Sequence, residues 1–345
     1  MSDVHVYTSC NYYYLDRAKV LATSLKRHNP DYTFWLLLTD YPDDVYSHDW
    51  SAEPFDKVFW STDLPVQNVN QWMFKHDVVE LCTAVKGPFL EYLLAQGCEK
   101  VIYLDPDIAV FDSLGSIEKL LDTYSIVLTP HQLEPESKHE VFAIQDNELC
   151  SSLHGVFNLG FVAVKNNKQG NQFATWWSDR LQAFCFDEKD KGIFVDQKLC
   201  DLAPCYFSEL YILRDYGCNV ASWNLGHRKI KITDEGTILV KNDTLKFYHF
   251  TKLGPIGDIM TERYAKDNVE VYELWAWYKR KVIEFKDERL PKTWYYGYYA
   301  NGEKVTNEAR ILYRHRKDLQ NYFTDPYSTE KDGGYYQWFL VHGAN

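Results

Sequence analysis

Within its first forty residues the chain alternates between strand-like and helix-like segments, and this pattern restricts the fold more than anything else in it. Val4-His5-Val6-Tyr7-Thr8-Ser9 is β-branched and aromatic and is followed by polar residues, which predicts a buried strand with a loop at its carboxyl end. Tyr14 to His28 places Leu15, Ala18, Leu21, Ala22 and Leu25 at helical spacing, and Asn29-Pro30 stops it. Thr33 to Thr39 is a second short apolar run. Strand, helix and strand in so little chain make a βαβ unit, which implies a parallel sheet.

The alternation continues. Lys57 to Trp60 predicts a short strand, and Trp72 to Thr83 and Pro88 to Gln96 predict helices. Lys100 to Leu104 reads as a strand ending directly in Asp105-Pro106-Asp107. Further on, Ile117 to Tyr124 is helical, Ser125 to Thr129 and Phe161 to Val164 are strands, and Asn171 to Phe184 is a helix. Thr237 to Val240 and Leu245 to Phe250 predict a hairpin around Asn242-Asp243. After about Gly257 the character changes to helices and aromatic clusters, with Asn268 to Phe285 a long helix. The expected division is an α/β catalytic domain over 1–256 and a helical, aromatic-rich extension over 257–345.

Charge narrows the function classes. A net charge of -12 argues against a nucleic-acid partner, whose affinity comes largely from Lys and Arg. It still allows phosphate ligands, because a divalent metal held by carboxylates binds a diphosphate in an acidic protein. The eight cysteines include no CxxC pair and read as reduced thiols. No stretch approaches the ~20 apolar residues of a membrane span, and the first residues carry no signal-peptide pattern, so a cytoplasmic location is expected.

The sharpest chemical signal is Asp105-Pro106-Asp107. Ligands of open α/β sheets bind beyond the carboxyl ends of strands, where two carboxylates one residue apart share a site. The first can meet a ribose or a metal-bound water while the second ligates the metal. Asp and Pro also favour plain turns, but the strand in front weighs for function. His249, ending a strand in Phe247-Tyr248-His249-Phe250, can supply a neutral imidazole ligand, and Lys252 a point charge for phosphate. Asn158 and Gly160 can put an amide and bare backbone beside a ligand. Asp196-Gln197 suits a ligand contact or a helix cap equally.

Together these segments resemble nucleotide-sugar transferases of the GT-A fold, a Rossmann-like mixed but mainly parallel sheet flanked by helices. They are most similar to the retaining group that includes glycogenin and the bacterial lipopolysaccharide galactosyltransferases. The resemblance covers residues 4 to about 256. It implies a Mn2+ or Mg2+ ion on Asp105, Asp107 and His249, with Asp105 also near the ribose. Asn158, Asp196 and Gln197 would then lie at the reacting sugar. Thr8, Ser9 and Asn11 would contact base and ribose, and Lys86, with Lys75 behind it, the diphosphate or the first Asp. The donor implied is a nucleotide sugar, with UDP the expected nucleotide although the base-binding loop is not a close match. The acceptor implied is a glycan or lipid-linked glycan, in bacterial surface polysaccharide assembly.

Departures remain: Thr251-Lys252-Leu253-Gly254-Pro255 differs from the family's Gly and Lys-Pro-Trp ending. Two rivals stand beside this reading. Asp105-Pro106-Asp107 also resembles the acid pair of haloacid-dehalogenase phosphatases, with Gly257-Asp258 imitating a later metal motif. A catalytically inert protein that binds glycans or partners is the other. Beyond Pro291 the tail carries Trp294, Tyr295, Tyr296, Tyr298 and Tyr299, then Arg310, Arg314, His315, Arg316 and Lys317. This mixture suits either ordinary packing or a surface for a glycan, an anionic lipid-linked acceptor or a membrane-bound partner.

Overall fold

The computed structural model describes residues 3–41, 48–329 and 333–343. β1 (Val4–Cys10), α1 (Leu15–His28) and β2 (Thr33–Leu38) form the expected unit, with β1 and β2 parallel, and β3 (Lys57–Trp60) adds parallel to β2. The helix expected over Trp72 to Thr83 is broken into α2 (Val69–Phe74) and α3 (Val78–Ala84). Asp77 causes the break. Its carboxylate accepts from the Val79 and Glu80 amides at 2.8 Å, and Glu80 reaches back to the Asp77 amide at 3.0 Å. This reciprocal cap starts a new helix where apolar periodicity alone shows one continuous segment.

α4 (Lys86–Ala95) leads into β4 (Lys100–Leu104), followed by β5 (Ile108–Val110), α5 (Gly115–Thr123) and β6 (Ile126–Pro130). A helical stretch follows, made of α6 (Val141–Ala143), a π-turn segment (Ile144–Leu149) and α7 (Cys150–His154). Then come β7 (Phe157–Lys165), α8 (Lys168–Phe184), the small pair β8 (Asp187–Glu188) and β9 (Ile193–Phe194), α9 (Ala203–Tyr206) and β10 (Leu210–Ile212). The main sheet has seven strands in the order β10-β6-β7-β4-β1-β2-β3. β7 runs antiparallel to both its neighbours and the other pairings are parallel, so the sheet is mixed and mainly parallel. Both faces are covered: Tyr7, Tyr103 and Val162 join one apolar cluster, Val6, Ile102 and Ala163 the other. Strands buried on both sides read as continuous apolar runs, which is why they are legible in sequence.

The carboxyl ends of β1, β4 and β6 and the amino end of β7 therefore share one edge. β1 lies between β2 and β4, so the chain reverses its direction of progress across the sheet there, at a topological switch point.

The predicted hairpin is only half correct. β11 (Ile230–Ile232), β12 (Ile238–Val240) and β13 (Asp243–Thr244) form a small meander, but β14 (Phe247–His249) pairs antiparallel with β5. Phe247, Tyr248 and Phe250 are all fully buried, which a two-stranded surface hairpin cannot provide. The β5 pairing sets His249 opposite Ile108, and the Phe250 amide donates to the Asp107 carbonyl at 2.8 Å.

The carboxyl-terminal helices are α10 (Pro255–Ala265), α11 (Val269–Glu284), α12 (Asn307–His315), α13 (Lys317–Tyr322) and α14 (Tyr335–His342). The division at 256/257 falls inside α10. On α11, Val271, Leu274, Trp275, Tyr278 and Val282 are buried, packed in one cluster with Tyr248 and Phe250. No helix of the described residues is long and apolar enough to cross a membrane.

Of the two readings of the tail, two of its arginines follow the packing one, while His315, Arg316 and Lys317 stay exposed. Arg310 is buried and donates to the carbonyls of Phe74 and Tyr296, and Arg314 donates to the Lys75 carbonyl and, at 2.7 Å, to Glu80. Trp294 donates from Nε1 to the Thr39 carbonyl at 2.7 Å. The break after α2 leaves its last carbonyls without intrahelical partners, and the two guanidinium groups satisfy them. These arginines act as a helix cap.

Candidate active site

A cavity of about 670 Å³ opens at the shared edge of the sheet. Ser9, Asn11, Lys86, Asp105, Asp107, Asn158, Asp196, Gln197, His249 and Lys252 all line it. Thr8 does not. Side chains alternate along a strand, so Ser9 shares the face of Tyr7 while Thr8 turns to the opposite face, fully buried and with its hydroxyl unpartnered. Lys75 is also outside the cavity lining.

Asp105, Asp107 and His249 each offer one ligand atom, and these atoms lie within 4.8 Å of one another. His249 Nε2 is 3.0 Å from Asp107 Oδ1 and 3.7 Å from Asp105 Oδ2. The other Asp105 oxygen is already engaged: Tyr103 donates to Oδ1 at 2.6 Å and Lys86 at 2.9 Å. Oδ2 is thus the oxygen turned to the imidazole. Burial pushes the Asp107 carboxyl up, but the His249 charge and hydrogen bond outweigh it and hold the group below its usual range. Burial likewise lowers His249, and Asp107 with Asp105 behind it raises the imidazole above its ordinary value. Two carboxylate oxygens and an imidazole nitrogen converging in this way fit a divalent cation of the Mn2+ or Mg2+ kind.

Gly160 makes this convergence possible. A Cβ at that position would lie 2.7 Å from His249 Cε1 and 2.8 Å from both Asp105 Oδ2 and Asn158 Oδ1. Only a residue without a side chain fits between the three.

Behind the triad sits a buried cation. Lys86 Nζ is 2.9 Å from Asp105, 2.7 Å from Asp196 Oδ2 and 3.2 Å from the Leu159 carbonyl. Burial disfavours its charge, but the two carboxylates more than compensate and hold the ammonium above its usual value. One cation between two carboxylates leaves a negative charge in excess. Burial pushes the Asp196 carboxyl up, and the Asp105 charge adds to this against the opposing pull of Lys86.

Asn158 is fixed in orientation. It accepts from Asn219 Nδ2 at 3.0 Å and lies 3.2 Å, through Nδ2, from His131 Nε2. Burial lowers His131 to about 4, so it is neutral near pH 7. Gln197 donates to the His154 carbonyl at 3.1 Å. Lys252 has φ +57°, a left-handed conformation at the turn into α10.

Tyr103, His131 and Trp223 also line the cavity and were not singled out from the sequence. Tyr103 is legible in retrospect, two residues before Asp105 on the same strand face. His131 follows β6, and the carboxyl-end rule that found Asp105 applies there too. Nothing in the sequence marks Trp223, whose ring comes edge-on to His249 at 5.3 Å between centroids. Asp258, the candidate late metal residue of a phosphatase, pairs with Lys279 at 2.6 Å and is absent from the cavity lining.

No protein-family model matches the chain. It is 24% identical over 319 residues to the uncharacterized protein YfnD of Bacillus subtilis (strain 168), covering 91% of this chain and 93% of that one. With uncharacterized protein YfnF of the same organism it shares 26% identity over 177 residues, which span 51% of this chain and 57% of the relative. Solved structures that resemble it are glycosyltransferases by name. One is the galactosyltransferase LgtC in complex with donor and acceptor sugar analogues, at TM-score 0.47 and 17% identity over 79% of this chain and 95% of that one. Mouse xyloside xylosyltransferase 1 has TM-score 0.42 and 14% identity, covering 73% and 98%. GlyE of Streptococcus pneumoniae TIGR4 has TM-score 0.42 and 18% identity, covering 81% and 64%.

Proposed function

We propose that the protein is a metal-dependent glycosyltransferase, taking a hexose from a nucleotide-sugar donor, with a UDP-sugar expected, and passing it to a hydroxyl of a glycan acceptor. The observation that carries this reading is the convergence of Asp105 Oδ2, Asp107 Oδ1 and His249 Nε2 beside the buried Lys86–Asp196 pair, in one cavity at the switch point.

Asp105, Asp107 and His249 would hold a Mn2+ or Mg2+ ion, whose positive charge would offset that of the donor's diphosphate. The residues of the chain do the rest. Ser9 and Asn11, at and just beyond the end of β1, line the cavity and would contact the ribose and base, and Lys252, also in the lining, would offer a further charge for phosphate. Lys86 holds Asp105 and Asp196 in place through its two ion pairs, so no reorganisation is needed when charge develops in the transition state. Asn158 and Gln197 offer amides of set orientation to sugar hydroxyls.

In the transfer, the bond from the anomeric carbon to the diphosphate breaks and the acceptor oxygen bonds to that carbon. The acceptor proton passes to the departing diphosphate oxygen. Attack on the same face, with retention, is favoured over a double displacement. Asp196 is tied to Lys86 and only 3% exposed, and an amide such as Gln197 is a weak nucleophile. By resemblance, the reaction belongs to bacterial surface polysaccharide assembly on the cytoplasmic side.

A thermal-shift panel of nucleotide sugars, with and without manganese, tests the reading. A specific donor raises the melting temperature by mass action, and does so only with the metal. A panel with no shift under either condition contradicts it.

A further inference from the structure

The segment just after β2 touches both the cavity wall and the carboxyl-terminal extension. On the cavity side is the turn between β1 and α1, whose Asn11, Tyr13 and Tyr14 line the site. On the other side, residues 294–296 of the extension lie against the segment. Trp294 donates from Nε1 to the Thr39 carbonyl at 2.7 Å, and the rings of Tyr41 and Tyr295 are 4.0 Å apart between centroids. Asp40 stands between the two sides and is only 2% exposed. Its Oδ2 accepts from the Tyr12 amide at 3.3 Å. Its Oδ1 accepts from the Tyr295 amide at 3.1 Å and from the Tyr41 amide at 3.0 Å. One oxygen thus holds the turn and the other holds the extension.

Only a carboxylate can do both. Ionised, it accepts through either oxygen, whereas an amide of the same shape has one accepting oxygen and presents N–H groups in place of the other. The position of the Tyr12 amide matters to the cavity. Tyr12 directly follows Asn11, and the Tyr14 amide donates to the Asn11 carbonyl at 3.1 Å, so the turn closes on the residue that it carries into the site. Holding the Tyr12 amide therefore fixes the peptide that presents Asn11. We propose that Asp40 is a positioning residue that couples the carboxyl-terminal extension to the Asn11–Tyr14 turn, so that docking of residues 294–296 sets the affinity of the cavity for a nucleotide. The nucleotide as occupant rests on the transfer reaction above; the coupling rests on the hydrogen bonds alone. A turn held from outside loses less freedom when a ligand orders it, which is how a contact remote from the ligand raises affinity.

The test uses the full-length protein and two readouts: calorimetric binding of UDP with manganese, and hydrogen–deuterium exchange of the ligand-free protein. Asp40→Asn turns an N–H group toward one of the two sides, and should weaken UDP binding by about tenfold. Trp294→Phe removes the indole donor to Thr39 and should weaken it by about threefold. In both variants the KM for a donor should rise more than kcat falls, and amides of residues 11–14 should exchange faster. Leu121→Ala, in the core beneath α5, is the destabilised control, and should change neither readout at a temperature well below its melting point. A melting curve for each variant checks that it folds. Wild-type UDP affinity in folded Asp40→Asn, unchanged exchange at residues 11–14, or an equal loss in Leu121→Ala would each overturn the proposal. A wild type that binds no UDP contradicts the transfer reading instead, and the exchange measurement then decides the coupling by itself.

Discussion

Replacing Gly160 by alanine is the smallest change that addresses the whole triad. The added Cβ would stand 2.7–2.8 Å from His249, Asp105 and Asn158, about 0.7 Å inside ordinary carbon contact in each direction. None of the three can retreat freely. Asp105 is held by Tyr103 and Lys86, Asn158 by Asn219, and His249 lies in a strand paired with β5. Overpacking of this kind costs about 1–3 kcal/mol. For 345 residues an unfolding entropy of about 0.7 kcal/mol per kelvin converts that to a fall of roughly 1–4 °C in melting temperature. The larger effect should be on the metal, since displaced ligands and their supports typically lose about 10–100-fold in affinity. Manganese titration by calorimetry, with donor hydrolysis measured in parallel, reads both quantities. Gly226→Ala is the control, because a Cβ there meets nothing within 4 Å. A Gly160→Ala protein with wild-type manganese affinity and hydrolysis would refute the geometry on which the site is built.

Lys86→Met leaves the buried Asp196 and the half-buried Asp105 without their cation and should cost about 3–5 kcal/mol, read as a lower denaturation midpoint with little donor hydrolysis. Asp40 accepts from the amides of Tyr12, Tyr41 and Tyr295, yet burial pushes its carboxyl up to about 6. A folded-state value above the unfolded one means the folded protein binds more protons, so this group's contribution to stability is lost as pH rises from about 4 to about 6. The loss is roughly 3 kcal/mol, and Asp40→Asn should remove that slope in melting curves taken across the window. Truncation after Pro291 should lower the melting temperature sharply, because it removes the arginines that cap α2; a truncated protein of wild-type stability would return the tail to a recognition role.

Most of the candidate site's lining was legible because it follows from strands and their ends. Asp105, Asp107, Asn158 and Asp196-Gln197 sit in or beside apolar runs whose carboxyl or amino ends the periodicity locates. What escaped depends on long-range pairing. The partner of Phe247–His249 is β5, more than a hundred residues away, and local pattern offered the nearer strand at Ile238–Val240 instead. The same limit hid the role of Arg310 and Arg314, since only the fold shows that the cap at Asp77 leaves carbonyls of α2 for them to fill. The family resemblance implies Thr8 together with Ser9, whereas the two-residue period of a strand separates them onto opposite faces.

The most direct measurement is release of nucleoside diphosphate from a panel of nucleotide sugars by metal-stripped protein, before and after manganese is restored, for the wild type and Asp107→Asn. The site geometry predicts that at least one donor is turned over by the wild type, that chelation abolishes it, that manganese restores it, and that Asp107→Asn stays folded but inactive. Turnover in excess chelator, or full activity in Asp107→Asn, would contradict the assignment of Asp105, Asp107 and His249 as the metal site of a sugar-transferring enzyme.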